Sequence, residues 1–173
     1  PGGAGLVMDH LNKESFPVYT ARFEEAFGTP GPNIRSFFND SYEVYGANFT
    51  PTLFEAFERN RGYDLKPYLP TLLSSDSSAT IRRLKADYRQ TMGEMLLTDF
   101  SEPWKNWINN YGALSRNQAH GSPANLLDVY AATDIPECET FGYSGFDISG
   151  AKNYTHSSRH LPPDLYMLKF ASS

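Results

Sequence analysis

Apolar positions along this chain alternate between short unbroken runs and a three-and-four spacing, and the changes fall at Gly and Pro. Leu6, Val7 and Met8 form a first run that ends in Asp9 and His10, a short strand by its pattern. Residues 12–27 place Phe16, Tyr19, Phe23 and Phe27 three and four apart, which predicts one apolar helix face. Gly28-Thr29-Pro30-Gly31-Pro32 stops that helix. Residues 34–43 read as a second strand, in which Ile34, Phe37 and Phe38 give way abruptly to polar and acidic groups. Thr50 and Pro51 predict a helix start, Gly62 its end, and Leu53, Phe54 and Phe57 its buried stripe. A short helix over 65–73 is interrupted by Pro67 and Pro70. Ser77 or Ser78 then caps a long helix with Ile81, Leu84, Tyr88, Met92, Met95 and Leu96 on one face. Pro103 predicts a bend or restart before Trp104, Trp107 and Ile108, and Gly112 ends the segment. Strands are expected at 113–118 and 135–139, with a short helix over 124–132 between them. A long Gly-, Ser- and Tyr-rich loop over 141–163 precedes another helix from Asp164.

The order β-α-β-α-α-β-α-β-loop-α implies an α/β fold with a parallel sheet and right-handed crossovers. A doubly wound sheet and a barrel both satisfy it. A complete (β/α)8 barrel takes about 250 residues; four strands would make a partial TIM barrel, roughly half of one. Each strand ends in polar groups: Asp9 and His10; Asn39, Asp40 and Glu43; Asn117, Gln118 and His120; Glu137 and Glu139. A parallel sheet collects these ends on one face, where active sites of α/β folds sit. One polar strand end is ordinary, whereas four in succession favour a polar active-site face.

Charge and composition narrow the chemistry. A formal net charge of −5 with scattered Lys and Arg argues against a nucleic-acid partner, which needs clustered cations. The 12 Phe and 11 Tyr would suit stacking on sugar rings, although a Phe- and Tyr-rich core explains the same count. Cys138 is the single cysteine, so no internal disulfide forms, and it lacks an activating context. No apolar run approaches the roughly 18 residues of a membrane helix. No initiator Met opens the chain, and its ends at Pro1-Gly2-Gly3 and Phe170-Ala171-Ser172-Ser173 read as cuts, so a fragment of a larger protein is expected.

Among the carboxylates, Glu43 suits general-acid work, because cleaving a glycosidic bond takes a protonated carboxyl beside the leaving oxygen. Its structural alternative is a salt bridge to a nearby Arg. Glu137 and Glu139 alternate on one strand and so face opposite sides. His120 and the Asp9-His10 pair fit either sugar hydroxyls or a structural role. No His/Cys set has zinc spacing, and no EF-hand loop, Gly-rich phosphate loop or Gly-x-Ser-x-Gly elbow is present.

The run Asn39-Asp40-Ser41-Tyr42-Glu43-Val44-Tyr45-Gly46-Ala47 resembles a strand region of the α-L-rhamnosidases of glycoside hydrolase family 106. The similarity continues through Arg61-Gly62-Tyr63-Asp64-Leu65-Lys66-Pro67-Tyr68-Leu69-Pro70, Arg116-Asn117-Gln118-Ala119-His120-Gly121-Ser122-Pro123-Ala124-Asn125 and Asp134-Ile135-Pro136-Glu137. It spans nearly the whole chain in order. The resemblance implies a (β/α)8 catalytic domain inside a larger enzyme, inverting hydrolysis of α-L-rhamnosides, and a calcium ion at the sugar site. Glu43 matches the general acid, and Glu139 falls in a region of acidic active-site residues. Asp9, His10, Asn39, Asp40, Asn117, Gln118, His120 and Glu137 are the expected substrate-binding residues. The family's general base is expected beyond residue 173, so the rest of the catalytic domain is the expected partner and the isolated piece is expected to be inactive. Family resemblance also implies a periplasmic or extracellular location. Two alternatives stay open: a glycosidase for another sugar, and a non-catalytic carbohydrate-binding module. The second sits poorly with a long amphipathic helix, since such modules are usually β-sandwiches.

Overall fold

The computed structural model describes residues 5–137 apart from 29, 30, 32 and 45. Cys138, Glu139, the expected loop over 141–163 and the helix from Asp164 lie outside the described residues. The elements run α1 (Ser15–Phe27), β1 (Ser36–Asn39), α2 (Leu53–Arg61), a 3-10 turn (Lys66–Tyr68) leading into α3 (Leu69–Leu72), and α4 (Ala79–Leu96). A π-turn (Leu97–Ser101) joins α4 to α5 (Glu102–Asn109), followed by β2 (Leu114–Asn117), α6 (Leu126–Ala131) and β3 (Ile135–Pro136). The three strands form one parallel sheet in the order β1-β2-β3, with Phe38 opposite Arg116 and Arg116 opposite Ile135. This is a partial α/β fold.

Local chemistry accounts for most boundaries. Ser78 caps α4 by accepting the Ile81 N–H at 3.4 Å. Gly62 closes α2 in the left-handed region, φ 81°, which a side chain would strain. Pro103, at the start of α5, has no N–H for a carbonyl four residues back, and the π-turn comes directly before it. Thr50 does not cap α2 as expected. Its hydroxyl is buried and donates to Asp9 Oδ2 at 2.7 Å, and the helix begins at Leu53.

The expected first strand is a correction. Residues 6–8 are irregular, and Leu6 and Val7 are exposed. A strand exists only by pairing with a neighbour, and none of the described strands pairs with this run.

The helices cover one face of the sheet. Phe37 packs on Trp107, Tyr111 and Phe27, with Trp107 at 5.6 Å between ring centroids. The main core joins Leu11, Phe16, Leu53, Met92, Met95, Leu96, Phe100, Trp104 and Ile108. The Met and Trp residues of the long helical segment are therefore core. A second cluster of Phe57, Leu65 and Leu84 binds α2 to α4. At its rim Arg61 pairs with Glu94 and donates to Thr91 Oγ1 at 3.1 Å. The opposite sheet face is open: Phe38 and Leu114 are exposed, and the Arg116 guanidinium lies 5.2 Å over the Phe38 ring.

Candidate active site at the strand ends

The parallel ladder brings the polar ends of β1, β2 and β3 together, as alternation and topology require. Asn39 Nδ2 donates to Asn117 Oδ1 at 2.8 Å, joining the ends of β1 and β2 through their carboxamides. The backbone continues this joint, with Gln118 N–H donating to Asn39 O at 3.0 Å and Glu137 N–H to Asn117 O at 2.9 Å. Beyond β1 the chain turns back towards β2, and the Tyr42 N–H donates to His120 O at 2.7 Å. That bond pins the backbone one residue before Glu43, whose side chain is exposed. Asp40 is also exposed, and its Oδ1 accepts the Ser41 N–H at 2.8 Å.

Glu137, at the end of β3, is half-buried and held by both ends of the Arg116 guanidinium, one contact at 3.1 Å. This fork fixes the carboxylate plane. Hydrogen bonding to Glu137 raises the Arg116 pKa. Sequence reasoning placed Arg116 in a motif but gave it no role. Its partner lies on another strand, and nothing local announces a pairing across that separation.

His10 and Asp9 flank the same region from the N-terminal segment. The imidazole meets the edges of Phe100 and Tyr42 at 4.6 and 5.3 Å between centroids. Burial lowers its pKa, and the nearby Asp9 charge opposes that shift. Burial, with a smaller push from Asp9, raises the Tyr42 phenol. Asp9 is committed locally: besides Thr50 it accepts the Leu11 N–H at 3.0 Å. The Oε1 of half-buried Gln118 is shielded from solvent without a hydrogen-bond partner among the described residues, and His120 is half-buried. Of the ten residues proposed from sequence, Asn39, Asp40, Glu43, Asn117, Gln118, His120 and Glu137 come together at the strand ends. Asp9 and His10 approach from the side, and Glu139 lies outside the described residues.

The expected calcium ion needs several oxygen donors converging on one point. Among the described residues no group of three or more His, Cys, Asp and Glu side chains does so. These residues therefore do not present a carboxylate-rich ion site by themselves. Among the described residues no helix is long and apolar enough to cross a membrane.

At the opposite, N-terminal edge of the sheet is a polar knot that sequence reading missed. Asp134, just before β3, accepts hydrogen bonds from Ser115 N–H, Ser115 Oγ and Asn109 Nδ2, and pairs with Lys105 at 3.1 Å. Burial alone would raise its pKa, but these donors outweigh burial and hold it at about 2. It lies away from the strand ends that carry Glu43.

Comparison with known proteins places this geometry. A rhamnosidase from Novosphingobium sp. PP1Y superposes with a TM-score of 0.60 at 24% identity, over 78% of this chain and 14% of that one. At that identity the likeness speaks for the fold alone. A Formosa agariphila protein, provisionally described as a beta-glucuronidase, is 28% identical over 167 residues, 92% of this chain. This chain spans 14% of that relative's length. The family model for alpha-L-rhamnosidase, glycoside hydrolase family 106, matches residues 1–157. By a match over most of its length, this chain belongs to the α-L-rhamnosidase family of glycoside hydrolases, family 106.

Proposed function

We propose that this chain is part of a (β/α)8 catalytic domain that hydrolyses α-L-rhamnosidic bonds with inversion, with Glu43 as the general acid. The observation that carries the reading is the position of Glu43. In a chain of this family, it is an exposed carboxyl on a segment whose backbone is bonded to the end of the neighbouring strand. Glu43 protonates the leaving oxygen as positive charge develops on the sugar ring. A second carboxylate activates water on the opposite face, roughly 6.5–9.5 Å from the first in an inverting enzyme. That partner is proposed to lie beyond residue 173, with Glu139 among the other acidic residues of the site, and these 173 residues alone are then inactive.

Asn39, Asp40, Asn117, Gln118 and His120 are proposed to hold sugar hydroxyls, with His10 at the margin. Asp9 and Glu137 act from fixed positions, one tied to Thr50 and the other to Arg116. Calcium stays part of the proposal, with donors that the described residues do not complete. The rest of the catalytic domain is the proposed partner, and a periplasmic or extracellular location follows from the family. A second reading, a glycosidase for another sugar, draws on the relative described as a beta-glucuronidase. A carbohydrate-binding module has no support in parallel strands backed by helices.

The test compares the full-length protein with its Glu43→Gln variant on a natural α-L-rhamnosyl oligosaccharide, whose poor leaving group demands an acid. Loss of about 10²-fold or more in kcat is expected, in line with general-acid contributions. A variant that keeps nearly full activity sinks the role of Glu43. A wild type that releases no rhamnose but cleaves a glucuronide or another glycoside establishes the second reading.

A further inference from the structure

Ser122 lies in the loop between β2 and α6, and its Oγ is shielded from solvent with no hydrogen-bond partner among the described residues. A buried hydroxyl normally finds a partner, in the protein or in ordered water. The side chain borders a small, partly open cavity whose other polar walls are Asn39 at the end of β1, Asp40 and Tyr42 just beyond it, Ser101 from the π-turn and Asn117 from β2. The cavity volume is about 10 Å³, room for the centre of one water molecule. That is far too small for a sugar.

We propose that this cavity holds a single ordered water, bound by Ser122 Oγ and bridging it to Ser101 and the Asn39–Asn117 pair. The donor and acceptor inventory supports this. Ser101 Oγ donates to Leu96 O at 3.3 Å, which leaves its lone pairs to accept. The Asn39–Asn117 bond uses the amino group of one carboxamide and the oxygen of the other, so the remaining half of each can meet the water. An ordered water that bridges two to four protein polar groups is part of a structure and is lost at a cost. Here it joins three segments distant in sequence: the π-turn, the end of β1 that leads to Glu43, and the end of β2. The inference does not depend on which glycoside is cleaved.

The test is a high-resolution crystal structure of the full-length protein, together with thermal unfolding of two variants. Density for one water is expected at roughly 2.7–3.2 Å from Ser122 Oγ and from at least one of Ser101, Asn39 and Asn117. A direct bond from Ser122 Oγ to a protein atom, or metal-like coordination at the same point, overturns the proposal. In solution, Ser122→Ala keeps the space and removes one partner, whereas Ser122→Val puts methyl groups where the water would sit. For a water-filled cavity the Val variant melts a few degrees below the Ala variant, because the other polar walls lose their partner. A dry cavity gives the reverse order, since filling it adds packing, and that result refutes the water.

Discussion

Replacing Asp134 by Asn removes a charge that four donors surround while keeping the side chain's shape. The carboxylate accepts from Ser115 N–H at 2.9 Å, Ser115 Oγ at 3.0 Å and Asn109 Nδ2 at 2.9 Å, and pairs with Lys105 at 3.1 Å. Ser115 is fully buried, so its N–H has no recourse to solvent. The carboxyl's pKa is about 2 in the folded chain against an ordinary 3.8. A depression of that size corresponds to about 2 kcal/mol of stability. The Asp134 side chain is only 19% exposed, so solvent screening takes little from this figure. Because the folded pKa is the lower one, the contribution is present above the unfolded value and is lost as pH falls through the folded value. Urea denaturation followed by far-UV circular dichroism measures it. At neutral pH, Asp134→Asn should be less stable than the parent sequence by about 2 kcal/mol, and the gap should narrow by about 1 kcal/mol between about pH 5 and about pH 3. A neutral-pH difference under about 0.5 kcal/mol, the scale of an ordinary surface substitution, would refute the reasoning. So would a gap that stays constant on acidification.

Two further substitutions probe the helical half. Arg61→Ala removes the bridge from α2 to Glu94 and Thr91 and leaves Thr91, which is fully buried, with one contact fewer; a loss of about 1–2 kcal/mol is expected in the same urea assay, and an unchanged midpoint would count against the bridge. Gly93→Val is expected to cost about 1–3 kcal/mol as an overpacked contact, because a Cβ at Gly93 would already stand 3.0 Å from the Ala124 backbone. A Val variant as stable as the parent sequence would show that the α6 approach gives way.

Elements whose signals are local were legible in the sequence. The Ser78 cap, the Gly62 stop and the stripe of Met92, Met95 and Leu96 all sit where periodicity and end chemistry place them. The strands at 114–117 and 135–136 fall within the expected runs, and their parallel order follows from the helices between them. The strand expected at 6–8 failed because a strand is defined by its neighbour, which three apolar residues do not encode. Thr50 misled for a related reason: a hydroxyl before a helix suits a cap, yet a carboxylate 41 residues away in sequence took it. At the strand ends, residue types were legible but pairings were not. The Asn39–Asn117 bridge, the Arg116–Glu137 fork and the Asp134–Ser115 bonds all depend on register.

The π-turn between α4 and α5 can be described as one surplus residue. Continuing the α4 stripe of Met92, Met95 and Leu96 at ordinary helical spacing would place the next core positions near 99 and 103; the buried side chains are instead Phe100 and Trp104, each one position late. A widened turn absorbs that surplus, and it also relieves the clash that Pro103 would otherwise make with a carbonyl one turn back. Chain length and proline are thus coupled here. Deleting exposed Thr98 alone would restore helical phase but force Pro103 into a closed α-turn, whereas the same deletion with Pro103→Ala would leave one straight helix with its apolar side unbroken. Relatives that lack the surplus residue are therefore expected to lack the proline as well.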